Sequence, residues 1–503
     1  MTSIVPLPGS SGRRAKIVCT IGPACDSEEC IADLMRLGMD VARLNFSHGT
    51  HPEHARRMQR IRNAARKLKR TICILQDLQG PKIRTGPLKD GRPIELKRGS
   101  LLTITPREVL GSATLVSTDF SGLVREVAPG ARVLLSDGRI ELKVSKVHGG
   151  DVECEVINGG MLAEHQGINL PGAAIAIPAL TDKDKLDLQF GLKHGVDAVA
   201  LSFVRSADDI GMARNLMRGF GKSVPIVAKL EKPQAIDNLE QILEAAHGVM
   251  IARGDLGVEL PPEKVPIIQK QVIQRASAWR KPVITATQML ESMTENPRPT
   301  RAEASDVANA IFDGTDAVML SGETASGRYP REAVTMMARI IVEAEMSIAK
   351  TPPVARRRHE NHRYSVAETI CESIAHAAED LPMRAIAVFT ESGNTARMLS
   401  KHRPKVCIYG FSRNLDVCNR MNALWGVLPI HKDKWESAES MLRTAESVLL
   451  PKGLIRAGEV LGLVAGTKFT SGATNFMRLH TVGEDDGLPV KRHGKSKSNR
   501  GVR

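Results

Sequence analysis

The chain has few aromatic residues and no apolar run long enough to cross a membrane. Aromatic residues make up 3% of its 503 residues, although hydrophobic residues as a whole make up 42%. This composition suits buried parallel strands and offers little of the base stacking on which single-stranded nucleic-acid binding depends. Because the N-terminus also lacks the apolar core of a signal peptide, we expect a cytoplasmic protein with no membrane partner.

Paired cysteines are missing, and the C-terminal end lacks acidic residues. The eight cysteines are scattered without a CxxC pair, which indicates reduced, buried thiols. Residues 487–503 contain six Lys or Arg and no acid, so residues 483–503 are predicted to form a disordered basic tail. The net charge of +14 suits anionic small substrates, and no motif predicts a specific nucleic-acid site.

Two neighbouring apolar runs end in charged residues. Residues 224–231 end in Lys229 and Glu231, and residues 249–255 end in Arg253, Gly254 and Asp255. Each run predicts a buried strand, and because buried positions cannot hold unpaired ions, the charges must lie at the C-terminal end of each strand. A lysine beside two carboxylates suits a divalent metal ion and a phosphorylated or carboxylated substrate.

Eight apolar runs of this kind occur, most of them followed by a helix-like stretch. The other six begin at Lys16, Val41, Ile72, Ala198, Val283 and Ala317. Repeated alternation of strand and helix predicts an α/β protein with a (β/α)8 TIM barrel. In such barrels the reactive groups lie at the C-terminal ends of the strands, which is where the polar residues fall in this sequence.

The interval between the third and fourth runs is too long for one helix and its loops. Residues 140–147 alternate between apolar and polar, follow the turn Asp137-Gly138 and precede a second alternating run. This pattern predicts hairpins, and we interpret the interval as an inserted small β-barrel. Because it leaves from a strand end, it is predicted to act as a lid that excludes water; the alternative is an inert insertion.

A third region follows a Pro-containing and basic linker at residues 351–358. Ser365 and Glu368 form a capping-box pattern that begins a helix, and three later apolar runs indicate an α/β sheet. We therefore predict a catalytic barrel at residues 1–81 and 180–350, a lid domain at 82–179 and an α/β regulatory domain at 351–482.

Eight short motifs, taken in order, resemble those of pyruvate kinases. They lie at residues 16–23, 42–49, 80–86, 229–231, 252–258, 286–292, 299–303 and 321–325. Each motif alone is weak, whereas the ordered set is specific and extends over residues 16–482. The resemblance implies a barrel, a lid after the third strand and a regulatory domain, and a phosphotransferase that converts phosphoenolpyruvate and ADP to pyruvate and ATP.

The resemblance also implies roles for the strand-end residues. Glu231 and Asp255 would hold Mg²⁺ or Mn²⁺, and Lys229 would stabilise the transferring phosphoryl group and the enolate. Gly254, Asp255 and Thr287 would bind phosphoenolpyruvate, with the Gly254 amide and the Thr287 hydroxyl on its carboxylate. The alternatives are strand-end carboxylates that are merely ion-paired, and for Thr287 a hydroxyl satisfied inside the barrel.

A second set of residues is assigned to phosphates and protons by the same resemblance. Arg43 and Arg84 would contact phosphates between the two substrates. Thr287 would lie where the enolate is protonated, and Ser321 with Glu323 would help to relay the proton through water. The residues implied on the nucleotide side are Asn45, Ser47, His48, Arg84 and Lys183. By itself, His48 suits a structural role as well as a functional one.

The segment after the third run departs from the pattern of many pyruvate kinases. Members that need K⁺ typically have Asp-Thr-Lys-Gly-Pro-Glu where this chain has Asp-Leu-Gln-Gly-Pro-Lys at residues 77–82. Similarity to a K⁺-independent branch implies that the ammonium of Lys82 replaces K⁺ beside Asn45, Ser47 and Asp77. The alternative is that Lys82 faces solvent and the K⁺ site persists.

A loop of the regulatory region suits the phosphate of an effector, because it lies between a predicted strand and helix. Its candidate residues are Thr390, Ser392, Gly393, Asn394 and Thr395. Relatives activated by fructose 1,6-bisphosphate often have lysine where Glu391 stands, so we expect AMP or a sugar monophosphate, with Lys468 of a later loop contributing. The alternative is a structural loop at a subunit contact. The resemblance further implies a homotetramer.

Two other classes of protein share part of this pattern. An aldolase-type lyase that uses a carboxylate-bound metal would explain Lys229, Glu231 and Asp255 but would leave Arg43 and Arg84 without a role. A non-enzymatic binding module that relies on the basic tail would not explain why reactive residues recur at strand ends.

Overall fold

The computed structural model describes residues 12–172, 178–349, 365–466 and 472–484. The predicted linker at 351–358, Lys468 and the basic tail beyond residue 484 lie outside these ranges. None of the helices within them has the length and apolarity that crossing a membrane requires.

The chain enters a barrel through three strands joined by two helices. The strands are β1 (Lys16–Thr20), β2 (Met39–Asn45) and β3 (Cys73–Asp77), and the helices are α1 (Glu28–Leu37) and α2 (His51–Lys67). Helix α1 begins where the side chain of Ser27 accepts a hydrogen bond from the Cys30 amide. All three strands are almost entirely buried, so the polar residues that end them lie at the rim of the core.

The chain then leaves β3 for an inserted domain with its own apolar core. It contains the 3₁₀ turn Lys89–Gly91, β4 (Ile94–Leu96), β5 (Leu101–Thr105), β6 (Leu115–Ser117), α3 (Leu123–Glu126), β7 (Arg132–Leu135), β8 (Ile140–His148), β9 (Asp151–Asn158), β10 (Gly160–Leu162) and β11 (Ile168–Asn169). Six strands form one sheet in the order β11-β7-β8-β9-β5-β6, and β10 pairs with β4. The insertion is therefore rich in β-structure. Residues 84 and 85 bridge the two edges of the six-stranded sheet, with Thr85 paired to Thr118 beside β6 and Arg84 paired to Gly167 beside β11, so the sheet closes on itself as the predicted small β-barrel requires.

The barrel resumes after the insertion with five further strands. The elements are α4 (Asp182–His194), β12 (Ala198–Leu201), α5 (Ala207–Gly219), β13 (Ile226–Leu230), α6 (Pro233–Asp237), α7 (Leu239–Ala245), β14 (Gly248–Ala252), α8 (Arg253–Glu259), the 3₁₀ turn Pro262–Lys264, α9 (Val265–Ala278), β15 (Val283–Ala286), the 3₁₀ turn Glu291–Thr294, α10 (Arg301–Asp313), β16 (Ala317–Leu320), α11 (Gly322–Ala325) and α12 (Pro330–Ala349). The eight strands close in the order β1-β16-β15-β14-β13-β12-β3-β2, all parallel. The predicted (β/α)8 barrel is confirmed.

The C-terminal region is an α/β domain, as predicted. Its elements are α13 (Val366–Asp380), β17 (Met383–Phe389), α14 (Asn394–Lys401), β18 (Cys407–Ser412), α15 (Leu415–Met421), β19 (Val427–His431), α16 (Ala438–Leu449), β20 (Val460–Gly466) and β21 (Thr474–Thr481). Helix α13 begins with the predicted capping box of Ser365 and Glu368. The sheet order is β19-β18-β17-β20-β21, with β21 antiparallel to β20.

The C-terminal domain packs against the amino-terminal end of the barrel. The buried ammonium of Lys16, the first residue of β1, donates to the carbonyl of Val427 (2.8 Å). Asp316, which precedes β16, pairs with Lys401 (2.7 Å) and Arg403 (2.9 Å) of the C-terminal domain. These contacts leave the opposite end of the barrel, where the strands end in polar residues, free of the C-terminal domain.

Candidate active site

Lys229 lies at the centre of a buried polar cluster at the C-terminal ends of the strands. It is the fourth residue of β13, and its ammonium lies 2.8 Å from Glu231 and 3.2 Å from Asp77. It also donates to the hydroxyl of Ser202, at 2.7 Å. Arg43 of β2 reaches the other oxygen of Asp77 at 2.6 Å. Strands β2, β3, β12 and β13 thus bring two cations and two carboxylates together.

The charges of this cluster determine one another. Burial opposes the charged form of Lys229, but Asp77 and Glu231 raise its pKa, so the ammonium stays protonated. Burial alone would raise the pKa of Asp77, yet Lys229 and Arg43 lower it. Burial raises the pKa of Glu231, and Asp255 raises it further against the effect of Lys229. Glu231 and Asp255 therefore repel each other and would bind a shared cation readily.

The residues predicted to hold a metal ion fit Mg²⁺ chemically. Glu231 is buried, and one of its oxygens accepts from the Phe203 amide (2.7 Å) while the other faces Lys229. Asp255 is half-buried in the first turn of α8. Mg²⁺ commonly takes only one or two protein carboxylates and completes its shell with water and substrate oxygens. No group of three or more His, Cys, Asp or Glu side chains that could hold a metal ion occurs in the described ranges.

The end of β15 presents a hydroxyl and a backbone amide side by side. The Gly254 amide donates to the hydroxyl of Thr287 at 2.8 Å. Thr287 and Gln288 both have positive φ, at 67° and 56°, a conformation that non-glycine residues adopt at an energetic cost. Arg253 braces this turn by donating to the carbonyl of Thr287 (2.7 Å) and by pairing with Asp306 (2.7 Å). Arg253 therefore has a structural role at this turn.

Ser321 and Glu323 follow β16 at the next strand end. Glu323 is fully buried, accepts from the amides of Leu290 (3.1 Å) and Ser321 (2.7 Å), and has a pKa raised by burial. The Ser321 hydroxyl oxygen is buried and has no hydrogen-bond partner among the described residues. An unsatisfied buried hydroxyl beside a carboxyl group of raised pKa is suited to proton transfer.

Four cations surround His48 beyond the end of β2. Burial lowers the pKa of His48, and Arg84, Lys82, Arg43 and Lys183 each lower it further. Asn45 accepts from the Ser47 amide at 3.1 Å, which orders this loop. Arg84 lies in the inserted domain and donates to the carbonyl of His165 (3.0 Å). The concentration of positive charge suits a polyphosphate.

Lys82 does not contact the three residues with which the sequence predicted it to pair. Its ammonium lies 3.7 Å from Asp137 of the inserted domain, and no hydrogen bond joins it to Asn45, Ser47 or Asp77. The physical reason is that Arg43 and Lys229 already neutralise Asp77, so a third cation there would be repelled.

The predicted effector residues lie together at the start of α14. Gly393 caps this helix with φ of 82°, and its amide donates to the Thr390 hydroxyl at 3.0 Å. Thr395 shares a hydrogen bond with Thr474 (2.6 Å), and Glu391 pairs with Arg413 (2.8 Å). The loop is thus ordered, and its acidic residue is neutralised within the domain.

Two residues in these networks were not singled out from the sequence. Ser202 accepts from Lys229 and donates to the Leu78 carbonyl (2.7 Å), and Asp187 holds Lys183. A polar residue at the end of an apolar run was the available signal for Ser202. The i,i+4 spacing of Lys183 and Asp187 on one helix was the signal for Asp187.

Comparison with known proteins gives the family. Residues 12–334 match the model of the pyruvate kinase barrel domain, and residues 368–480 match that of the pyruvate kinase alpha/beta domain. The chain belongs to the pyruvate kinase family. It is a phosphotransferase of glycolysis that transfers the phosphoryl group of phosphoenolpyruvate to ADP, and the family generally uses Mg²⁺.

Individual relatives agree with this assignment. The pyruvate kinase of Geobacillus stearothermophilus is 45% identical over 476 residues, which cover 94% of this chain and 81% of the relative. The pyruvate kinase of Staphylococcus aureus is 44% identical over 476 residues with the same coverage. The crystal structure of a pyruvate kinase from Cryptosporidium parvum has a TM-score of 0.85 at 37% identity and covers 93% of this chain and 96% of that one.

Proposed function

We propose that Lys229, Glu231 and Asp255 form the centre at which the phosphoryl group is transferred. The observation that carries the proposal is the buried Lys229 ammonium between Asp77 and Glu231, a fixed positive charge at a strand end. In the reaction, the bond from phosphorus to the enol oxygen breaks and a bond to a β-phosphate oxygen of ADP forms. Lys229 stabilises the charge that develops on the transferring group and on the enolate oxygen.

The other predicted residues orient the substrates around Lys229. The Gly254 amide and the Thr287 hydroxyl bind the substrate carboxylate, and Asp255 with Glu231 would hold Mg²⁺. When bound, this ion supplies charge neutralisation at the phosphoryl oxygens. Arg43 and Arg84 contact phosphates between the substrates.

The remaining assignments concern the proton and the nucleotide. Ser321 and Glu323 deliver a proton to the enolate carbon. This proton becomes the additional hydrogen of pyruvate. The residues assigned to ADP are Asn45, Ser47, His48, Arg84 and Lys183. The four cations near His48 support this assignment because together they form one region of positive charge, which suits the phosphates of ADP. They are Arg84, Lys82, Arg43 and Lys183.

An assay with phosphoenolpyruvate, ADP and Mg²⁺ tests the central proposal through the pyruvate formed. Lys229→Met is expected to lower kcat by about a thousandfold or more, because a preorganised charge at the reacting oxygens is lost. Lys270→Met, which removes an exposed lysine of α9, is the matched control and should retain the wild-type rate. Pyruvate formation that does not require ADP, or a Lys229→Met variant of normal activity, would contradict the proposal.

We infer that the enzyme does not need K⁺, because Lys82 provides a fixed positive charge near the nucleotide side. The charge of Lys82 acts on His48, which supports this inference. The ion-pair partner of Lys82 in the structure is Asp137. Rates in tetramethylammonium buffer are expected to agree within about twofold with rates in K⁺ buffer, since the fixed ammonium substitutes for the recruited ion. A large loss of rate that added K⁺ restores would exclude the inference.

We further propose that AMP or a sugar monophosphate regulates the enzyme at the start of α14. Thr390, Ser392, Gly393, Asn394 and Thr395 offer amides and hydroxyls there. Glu391 stands where relatives activated by fructose 1,6-bisphosphate often have lysine, and because it pairs with Arg413, that arginine is also engaged within the domain, which disfavours a second phosphate group on the effector.

The assembly and compartment are also proposals. A homotetramer follows from the family, and an apolar cleft between α10 and α12 with exposed Phe312 supports a subunit contact there. Eight unpaired, buried cysteines support a cytoplasmic location, and no specific nucleic-acid partner is expected.

A further inference from the structure

Helix α4 is fixed to the end of β3 at two points. The Gly80 amide, just beyond β3, donates to Asp184 at 3.0 Å, and the Gln76 side chain donates to the Asp187 carbonyl at 2.6 Å. Asp184 also completes a capping box with Thr181 at the start of the helix. The position of α4 is therefore set relative to Asp77 and the rest of the active site.

Asp187 on α4 has a buried carboxylate with two half-exposed partners. Its side chain is 4% exposed, whereas those of Lys183 and His51 are 50% and 41% exposed. Lys183 lies 2.6 Å from one oxygen and the His51 ring nitrogen 2.7 Å from the other. The carboxylate is thus enclosed by protein, while the two groups bound to it remain accessible. Here it holds two donors whose far sides reach solvent.

Both donors lie beside the cation-rich region around His48. Lys183 also donates to the carbonyl of Phe46 (2.7 Å). Burial lowers the pKa of His48, and the charge of Lys183 is one of those that lower it further. The His51 ring stacks on Phe190 of α4, with centroids 4.2 Å apart and planes inclined by 12°. Lys183 and His51 are therefore oriented by the same helix that is fixed to β3.

We propose that Asp187 is a positioning residue for ADP, holding Lys183 and the doubly protonated ring of His51 as N–H donors for the nucleotide phosphates. The proposal rests on the proposed assignment of Lys183 to the nucleotide. It adds His51 as a second group that binds the phosphates and Asp187 as the residue that orients both. A free lysine side chain loses rotamer freedom when it binds a phosphate, and a lysine already held by Asp187 loses less. The benefit falls on ADP and not on phosphoenolpyruvate.

Steady-state kinetics of Asp187→Asn test this role. The KM for ADP is expected to rise about tenfold, while kcat and the KM for phosphoenolpyruvate change less than about twofold, because uniform binding of one substrate is lost. Asp182→Asn on the same helix, whose exposed carboxylate pairs with Lys185 (2.8 Å), is the matched control and should change none of these constants. Equal increases in both KM values, or no increase for ADP, would overturn the proposal.

A double-mutant cycle separates this proposal from the one on which it rests. If Asp187 acts through Lys183, the KM for ADP of Asp187→Asn/Lys183→Gln should lie within about twofold of that of Lys183→Gln. Additive effects would refute the positioning role. A Lys183→Gln variant with an unchanged KM for ADP would instead contradict the assignment of Lys183 to the nucleotide.

His51→Phe keeps a ring to stack on Phe190 but removes the donor to Asp187. Because His51 is half-exposed, this variant tests the proposal even where Asp187→Asn fails to fold. The KM for ADP is expected to rise about threefold with that for phosphoenolpyruvate unchanged. An unchanged KM for ADP would show that His51 does not bind the nucleotide, which would contradict the proposal that Asp187 holds two donors for it.

Discussion

At the residue scale, Lys229 has one uncharged hydrogen-bond partner in addition to the carboxylates Asp77 and Glu231. Ser202 accepts a hydrogen bond from the ammonium and donates its own proton to the Leu78 carbonyl. It therefore joins the end of β12 to the segment that leads from β3 into the inserted domain. The ammonium thus has three partners, the Ser202 hydroxyl and the carboxylates of Asp77 and Glu231.

Replacement of Ser202 by alanine is expected to lower kcat by roughly tenfold and the free energy of unfolding by about 1–2 kcal/mol, since two buried hydrogen bonds are lost. Turnover and urea unfolding measure the two effects. Ser305→Ala, at an exposed position of α10, is the control and should leave both unchanged. A Ser202→Ala enzyme with wild-type kcat would show that Lys229 needs no such restraint.

The sequence identifies some active-site residues better than others. Lys229, Glu231 and Asp255 are recognisable because charge cannot continue a buried strand. Ser202 is a small residue that packs in a strand end without obvious conflict, so its contact with Lys229 becomes evident only in the structure. The pairing of Lys82 with Asp137 depends on how the inserted domain folds back on its own first residues, which no local pattern of residues specifies.

At the scale of elements, the end of β15 holds two consecutive residues in the left-handed region. Thr287 has a role there, because its hydroxyl meets the Gly254 amide. Gln288 has an exposed side chain and bears the same backbone conformation, with φ of 56°. Such conformations persist where the surrounding structure enforces them, and Arg253 does so by binding the Thr287 carbonyl.

Gln288→Gly is expected to raise the free energy of unfolding by roughly 0.5–1 kcal/mol, because glycine adopts positive φ without a Cβ clash and part of this gain is offset by chain entropy. Gln288→Ala is the matched control, since it removes the same side chain but keeps Cβ, and it should give no increase. Chemical denaturation measures both. Equal stability of the two variants would show that the backbone is not strained at this position.

Most strands could be predicted because both of their faces are buried, so they appear as short apolar runs. In the inserted domain only β8 and β9 were predicted as individual strands, and in the C-terminal domain β19 and β21 were not predicted. Strand β19 lies at the sheet edge and contains Pro429, a residue that normally argues against a strand. Strand β21 is antiparallel and half-exposed, so it contains polar residues and lacks a continuous apolar run.

At the scale of the whole molecule, the joint between barrel and C-terminal domain is organised around one buried carboxylate. Asp316 accepts from Lys401, Arg403 and the Val283 amide (2.8 Å). Burial lowers the pKa of Lys401 to about 8, against the opposing effect of Asp316, and Arg403 and Arg280 lower it further. Asp316 precedes a strand and Lys401 ends a helix, so neither has the position after an apolar run that marks the active-site residues. The sequence therefore predicted three domains but not this contact between two of them.

The low pKa of Lys401 predicts a rise in stability at alkaline pH. Between pH of about 8 and 10.5 the unfolded chain keeps the lysine proton that the folded chain has released, so the free energy of unfolding increases with pH, by roughly 3 kcal/mol in total. Lys401→Met should lack this rise when its urea unfolding is compared with wild type across the window. Lys405→Met, at an exposed position, should retain it. A parallel pH dependence in all three proteins would contradict the assignment.

The contact between Lys16 and Val427 has a consequence for how the chain is made. Lys16 begins the first barrel strand, yet the carbonyl that accepts its buried ammonium lies 411 residues later. During translation the first strand leaves the ribosome long before that acceptor exists. The buried ammonium of Lys16 therefore has no such acceptor until most of the polypeptide has been made, so this contact between the barrel and the C-terminal domain forms late.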